Sequence, residues 1–464
     1  MTEIEKLINE GVLTADLIAQ LKDKQVAVPK WSGKDGLEAQ YDPTKHPVMN
    51  RATYPDIMEG GGNIDYVTRV TYDFQRLACK RMTELMTGIP VKRVYKPEND
   101  RQKEVAKYLE AIMQRNRIDS VNIERMNMLF AGCEVLTMWY AVLQDTNAYG
   151  FNSKLKFRVK NYSPMLGDQL YPYFDEYGDM VAMSIEYTRK VGKKRITYFD
   201  IYTSAKHVQW VNEGAGYRLV VREEIAIGKI PAIYITRPTP IWEDTSKIVY
   251  EMEWAMSRNG NYLRKNSKPL LAVFADEEVG FDEEKNEREE SRAVFQYPKG
   301  SSVQYITWDQ AIDNLKFYIN ELRNTFFTQL QLPDWSYEKM SSQAMSGESR
   351  KQLFIDAQMK VRDESGRWLE AFDREINVVK ALLKQAIGEQ WAADIDALQV
   401  EIVITPYTIT DDKDTISNLI TATGGKSILS RREAVELLGW SNDIDKTLEQ
   451  IAQDETADIF QPYE

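Results

Sequence analysis

Ser341-Ser342-Gln343-Ala344-Met345-Ser346-Gly347-Glu348-Ser349 opens a stretch that continues to Ile387, with apolar residues at Leu353, Ala357, Val361, Trp368, Phe372, Ile376, Val379 and Leu383. Most of these steps are three or four residues, the period of one helix face. The predicted helix is far longer than the usual three turns or so. Arg362-Asp363-Glu364-Ser365-Gly366-Arg367 in its middle makes it too polar to span a bilayer. Gly366 predicts a kink, because glycine weakens the helical ladder from inside. Pro333 to Tyr337 form a Pro-Asp-Trp-Ser-Tyr loop just upstream. Nothing in the stretch has the form of a catalytic motif.

Working outward, a second amphipathic helix precedes that loop. Asp309 is its N-cap candidate, and Ile312, Leu315, Ile319, Leu322, Phe326 and Leu330 follow at a spacing close to a heptad seam. An earlier helix over 244–265 carries Ile248, Met252, Ala255, Asn259 and Leu263 on one stripe. Between the two lies a compact segment, 269–303, in which residues 276–292 hold nine acids against three bases.

Seven strands are predicted further upstream, at 134–143, 155–162, 170–174, 181–189, 195–202, 207–211 and 217–223, from their Tyr, Val, Ile and Thr content and intervening turns. An antiparallel sheet region set between helical blocks is the α+β pattern. Helices are predicted at 65–87, 100–115 and 120–130, the first stopping at Gly88 with Pro90 beyond. Residues 4–25 read as one short polar helix, and 29–64 as an irregular arm with Gly60-Gly61-Gly62 as a hinge. After the long helix come a strand at 400–405 and three helices near 412–422, 430–438 and 443–454.

Composition narrows the chemistry. The net charge of -12 argues against a tight, sequence-reading grip on nucleic acid, which needs a basic face, but allows a surface that encloses DNA. Two cysteines, Cys79 and Cys133, make no disulfide framework, so a reducing compartment is expected. Two histidines, His46 and His207, argue against a His-based metal site or a Ser-His-Asp triad. No signal peptide and no apolar run of about 20 residues is present, so a soluble protein without membrane contact is expected. The glycine triplet lacks the following Gly-Lys-Ser/Thr of a phosphate loop. Asp175, Glu176 and Asp179 can be read as a cation site, but Asp and Gly there fit a hairpin turn better. His207, beside Trp210, reads as a strand residue. Asp411-Asp412 imitates a two-metal pair, yet either residue serves as the cap of the next helix. No cofactor is expected.

The ordered motifs resemble the portal proteins of tailed bacteriophages, specifically the siphophage portal family, over most of the chain from about Asp65. They are Gly88-Ile89-Pro90-Val91 ending an early helix, Gly228-Lys229-Ile230-Pro231 leading a strand, Ser346-Gly347 before the long helix, and Ile428-Leu429-Ser430 with Glu433 and Leu437-Leu438-Gly439 near the end. The chain departs from the family in Thr236-Arg237, where relatives often carry asparagine, and in lacking the usual apolar residues after Ser346-Gly347.

The resemblance implies a ring, dodecameric in virions, at one vertex of a phage head, acting as the channel for DNA packaging and ejection. It implies an N-terminal arm (1–64), a wing of helices and antiparallel sheet (65–243), and a two-helix stem (244–267 and 309–330). It also implies a small α/β clip (268–308), a tunnel loop (331–345), a kinked spine helix with a wing return (346–406) and a helical crown (407–464). Implied partners are further copies of the chain, double-stranded DNA passing non-specifically, the terminase large subunit, a head-tail adaptor, and the major capsid and scaffolding proteins. The host cytoplasm would be the site of assembly. On this map Trp335, Tyr337, Lys339 and Met340 face passing DNA, although Trp335 reads equally well as a buried loop anchor. Glu283, Glu284 and Glu287 sit on the clip where partners dock, and Ile248, Met252, Leu315 and Leu322 pack the stem. The rival readings are another virion component, such as an adaptor or baseplate protein, and a carboxylate-dependent enzyme using Asp175, Glu176 and Asp411.

Overall fold

A computed structural model of the chain describes residues 3–23, 25–58, 64–214, 216–266, 270–274, 302–306, 312–334, 354–407, 412–424, 427–441 and 444–459. The chain begins with helices α1 (Glu3–Asn9), α2 (Ala15–Leu21) and α3 (Leu37–Tyr41), then the short strands β1 (Ile57–Met58) and β2 (Ile64–Asp65). Next come α4 (Phe74–Thr87), β3 (Lys92–Lys96), α5 (Asp100–Arg115) and α6 (Ile118–Gly132). Eight strands follow: β4 (Glu134–Thr146), β5 (Ser153–Tyr162), β6 (Gln169–Phe174), β7 (Met180–Val191), β8 (Lys194–Tyr202), β9 (Lys206–Asn212), β10 (Tyr217–Glu224) and β11 (Ala232–Thr236). Then helix α7 (Ser246–Asn266), strands β12 (Leu270–Phe274) and β13 (Ser302–Ile306), and helix α8 (Ile312–Leu330) run in sequence. The rest is α9 (Ile355–Ile387), α10 (Ala392–Ala397), β14 (Gln399–Val403), α11 (Asp412–Thr423), α12 (Arg431–Leu438) and α13 (Ile444–Ile459). This is the expected α+β class, and the seven predicted strands of residues 134–224 are all present.

The chain folds as two compact units, the first holding residues 1–80, 124–140 and 158–330. Its centre is a five-stranded antiparallel meander in the order β10-β9-β8-β7-β6. Alternation along the strands sends side chains to opposite faces. Tyr173, Ala182, Phe199, Ile201 and Val208 form one face and pack with Ile8, Leu13, Leu17, Ile18 and Leu21 from the first two helices. Leu170, Met183, Ile185, Tyr187 and Tyr202 form the other and pack with Leu136, Met138, Ala232 and Tyr234 of a second sheet, ordered β11-β4-β5. Residues 4–25 are therefore two helices, not the one expected. Gly11 breaks them at φ 68, and Thr14 restarts the chain in an extended N-cap. The break lets Ile8 and Leu17 face one core together, which a straight helix of that length does not allow. Both thiols are free and buried in this unit, and burial pushes Cys133 up to about 12.

The second unit holds residues 81–123, 141–157 and 331–464. Its axis is α9, a single helix of 33 residues that continues without interruption through Gly366 and buries Trp368, Phe372, Ile376, Val379 and Leu383. These are the apolar positions of the expected stripe. The helix packs on β14, and Lys380 Nζ donates to Leu398 O at 2.5 Å. Strand β14 pairs antiparallel with β3, from Gln399↔Lys96 to Val403↔Lys92. Arg93 and Tyr95 of β3 both donate to Glu110 Oε2 on α5, at 3.2 and 3.0 Å. Among the described residues no helix is long and apolar enough to cross a membrane.

Candidate functional site

Helix α7 is the element to which the first unit anchors its N-terminal chain. Val249 and Met252 are buried as a helix seam requires, but so are the polar Glu253 and Ser257, each fully. The reason lies in residues 66–73, which are extended where helix was expected; α4 begins only at Phe74. Three alternate backbone N–H groups of this segment are held by side chains of α7. Thr68 N donates to Asn261 Oδ1 at 2.5 Å, Val70 N to Ser257 Oγ at 2.9 Å, and Tyr72 N to Glu253 Oε1 at 2.8 Å. Two residues of extended chain advance about 6.6 Å and four residues of α-helix about 6.0 Å, so the two rows stay in step over three contacts. Gly260 makes the approach possible, since a Cβ there would lie 2.8 Å from Thr68 Cγ2.

The same carboxylate closes a second contact. His46 Nδ1 lies 2.6 Å from Glu253 Oε1, and both side chains are inaccessible to solvent. His46 Nε2 faces the Gln40 carbonyl at 2.8 Å and so carries a hydrogen. The same Glu253 oxygen therefore meets both the His46 ring and the Tyr72 N–H. Burial, and then the Glu253 carboxylate, pushes the Tyr250 hydroxyl up to about 12; its ring meets His46 edge-on at 5.3 Å. Further along, Arg69 donates to Asp56 Oδ1 at 2.8 Å and to Tyr54 O at 2.7 Å, Asn261 donates to the Tyr54 hydroxyl, and Arg264 pairs with Asp65 at 2.7 Å. Part of the irregular arm (His46, Tyr54) and the start of the expected helix (Asp65, Thr68, Val70, Tyr72) are thus laced along α7.

Of the expected stem residues, Met252 is buried, while Ile248, Leu315 and Leu322 are half-buried. The two helices pack together, and Tyr318 donates to Glu251 Oε1 at 3.1 Å. The seam of α8 is closed only towards its end, where Phe326, Phe327 and Leu330 are buried and Phe326 meets Phe74 at 4.9 Å. Earlier on α8, Phe317 is 70% exposed, and on α7 Leu263 is 51% exposed although the stripe placed it inside. Strands β12 and β13 pair antiparallel at the far ends of these helices.

Trp335, Tyr337, Lys339 and Met340 of the expected tunnel loop, Glu283, Glu284 and Glu287 of the expected clip, and Asp411 lie outside the described residues. Asp412 is the first residue of α11. Asp175 is a turn residue: its Oδ1 accepts from the N–H groups of Tyr177 at 2.9 Å and Asp179 at 2.8 Å. His207 is packed, stacked on Tyr202 with ring centres 4.2 Å apart. Among the described residues no group of three His, Cys, Asp or Glu is placed to hold a metal ion.

What reading the sequence missed is the polar row Glu253, Ser257, Asn261. Its four-residue spacing is visible, but without the extended partner it reads as a solvated face. The short motifs do have structural roles. At Gly88 a Cβ would fall 2.9 Å from the Tyr407 ring, and Tyr407 N donates to Leu85 O at 2.8 Å. The Pro231 carbonyl accepts from Trp139 N at 2.9 Å where β11 joins β4. Ser430 and Glu433 form a reciprocal capping box at the start of α12. Ser346-Gly347 lies outside the described residues.

No curated protein sequence matches the chain. Among solved structures it is similar to a chain in the neck of an empty gene transfer agent (GTA) particle, with TM-score 0.42 and 11% identity, covering 92% of this chain and 99% of that one. It is also similar to a chain of the virion of a native gene transfer agent particle, with TM-score 0.38 and 12% identity over the same shares. Residues 46–459, a span that takes in His46, the laced segment, most of both units and the capping box, match the family described as phage portal protein, SPP1 Gp6-like. The chain belongs to the SPP1 Gp6-like phage portal protein family, and its role is the structural one of a portal, the head-tail connector of a phage particle.

Proposed function

We propose that copies of this chain close into a ring, dodecameric in the particle, at one capsid vertex, and that double-stranded DNA enters and leaves through its channel. The observation that carries the ring is the half-finished seam of the stem. Leu315 and Leu322 are only half-buried and Phe317 is 70% exposed, so α8 presents apolar surface that its own subunit does not cover. A neighbouring stem is the natural cover in a family whose members are portals.

In this reading α7 and α8 line the stem, β12–β13 and the acidic residues around Glu283, Glu284 and Glu287 form the clip, and 331–345 is the tunnel loop with Trp335, Tyr337, Lys339 and Met340. The acidic clip repels the phosphate backbone, which lets DNA slide, and offers docking charge to the terminase large subunit and a head-tail adaptor. The wing meets capsid and scaffolding proteins. The reading contains no catalytic step.

Light scattering on the eluting protein and negative-stain images, taken with and without scaffolding protein, test it. Closed rings with a channel wide enough for duplex DNA are expected. A strictly monomeric species at high concentration in both conditions overturns the ring.

A further inference from the structure

Arg189, Lys190, Lys193, Lys194 and Arg195 place five cations within seven residues, with no acid among them, in a chain of net charge -12. They sit at the turn between β7 and β8, and all five are exposed. The last pairs of β7 with β8 run from Tyr187↔Tyr198 to Val191↔Lys194, whereas β6 pairs with β7 only as far as Glu186 and β9 with β8 only from Thr197. The tip therefore overhangs the sheet as a two-stranded ribbon.

Residues directly opposite on antiparallel strands share a face. Thr188↔Thr197 and Lys190↔Arg195 are such pairs, so two hydroxyls and two cations stand together. They wall an open depression of about 510 Å³ completed by Leu166, Gly167 and Asp168. Asp168 is buried, which pushes its carboxyl above the usual range, and it accepts from Ser163 N at 3.2 Å. On the other face the Arg189 guanidinium lies 4.9 Å from the Tyr187 ring centre and 5.5 Å from that of Tyr198. None of the five cations makes an ion pair with a described carboxylate. Like charges directly opposite on a ladder repel, so Lys190 and Arg195 hold a cost that no ion pair with a described carboxylate offsets. Lysines do guard exposed strand edges against pairing, but that task does not call for two opposed cations and two hydroxyls on one face.

We propose that this ribbon is a sequence-independent contact for duplex DNA, with its cations and threonine hydroxyls on phosphate oxygens. A duplex presents about one charge per 1.7 Å of its axis, and its major groove admits a two-stranded ribbon. Arginine, lysine and threonine are phosphate-contact residues. The ribbon's role stands whether or not the tunnel loop touches DNA.

The test is anisotropy of a short labelled duplex of mixed sequence with the full chain at several salt concentrations. The combined variant Lys190→Gln, Lys193→Gln, Lys194→Gln, Arg195→Gln should bind at least ~10-fold more weakly at low salt, and the slope of log affinity on log salt should flatten by about 3 to 4, close to 0.9 for each phosphate no longer neutralised. Arg195→Lys alone should keep the slope. Lys339→Gln, in the expected tunnel loop, should remove no more than about 1. If the combined variant fails to fold by circular dichroism, the single variants Lys193→Gln and Lys194→Gln take its place, each flattening the slope by about 1. Unchanged affinity and slope in the folded variants overturn the proposal. So does polyglutamate of matched charge displacing the label as well as unlabelled duplex does, which would assign the ribbon to an acidic protein.

Discussion

Residues 67–72 and strand β3 are both extended, and each must satisfy a row of backbone groups that cannot be left buried without partners. They do so by opposite means. Strand β3 borrows the backbone of β14, five residues against five, so its partners are the same whatever side chains either strand carries. Residues 68, 70 and 72 borrow side chains from a helix instead, and need Asn261, Ser257 and Glu253 at four-residue spacing with Gly260 between them. A backbone ladder tolerates substitution, whereas a helix-borne row loses a specific partner with each change.

The largest expected effect is at Glu253. Glu253→Ala leaves His46 Nδ1 and the Tyr72 N–H without their shared partner at a buried carboxyl site, and each buried polar group left unsatisfied costs about 1–3 kcal/mol. Glu253→Gln keeps an oxygen for Tyr72 and should recover part of that loss. Chemical denaturation of the purified subunit measures both; a loss below about 1 kcal/mol for the alanine variant would put this row on the same footing as a ladder.

A smaller effect is expected at Gly260. Alanine improves helix propensity by about 1 kcal/mol, but its Cβ meets Thr68 Cγ2 at 2.8 Å, and overpacking of that kind costs about 1–3 kcal/mol. Net destabilisation is expected for Gly260→Ala. Adding Thr68→Ser removes the clashing methyl and should turn the sign, leaving the double variant at least as stable as the parent. Simple additivity of the two changes would break the assignment.

The smallest effect belongs to the ladder. Lys96 and Glu401 pair at 2.6 Å across β3 and β14, both largely exposed. Glu401→Gln should leave the melting temperature unchanged within error, because exposed ion pairs contribute little. A clear drop would show that this pairing also depends on its side chains, and the contrast between the two segments would lose its basis.

Neither of the two segments is announced by the sequence, whereas other elements are. The meander of the first unit was legible because its alternation is a local property: Ala182 and Met183, or Ile201 and Tyr202, go to opposite faces by period alone. The buried stripe of α9 was legible for the same reason, from Val361 to Leu383. Strand β3, Lys92-Arg93-Val94-Tyr95-Lys96, was not, because its half-exposed, charge-flanked residues give no alternation strong enough to separate it from a loop. Reading helix from Asp65 rather than Phe74 failed at the other segment. Val70 and Phe74 fall at helical spacing, and nothing nearby shows that Thr68, Val70 and Tyr72 give their N–H groups to a helix more than 180 residues away.

The sequence by itself determined the class of fold, the seven strands of residues 134–224, the long helix α9 and the family, since all of these follow from periodicity and short motifs that act within a few residues. Only the tertiary structure decided where α1 breaks from α2, that the N-terminal chain is laced to α7, and that His46 meets Glu253 out of reach of water. The first depends on Ile8 and Leu17 reaching one core, and the other two on a polar group finding its partner across a large separation in sequence. Burial without a partner is costly, and which partner relieves that cost is settled only when the chain has folded.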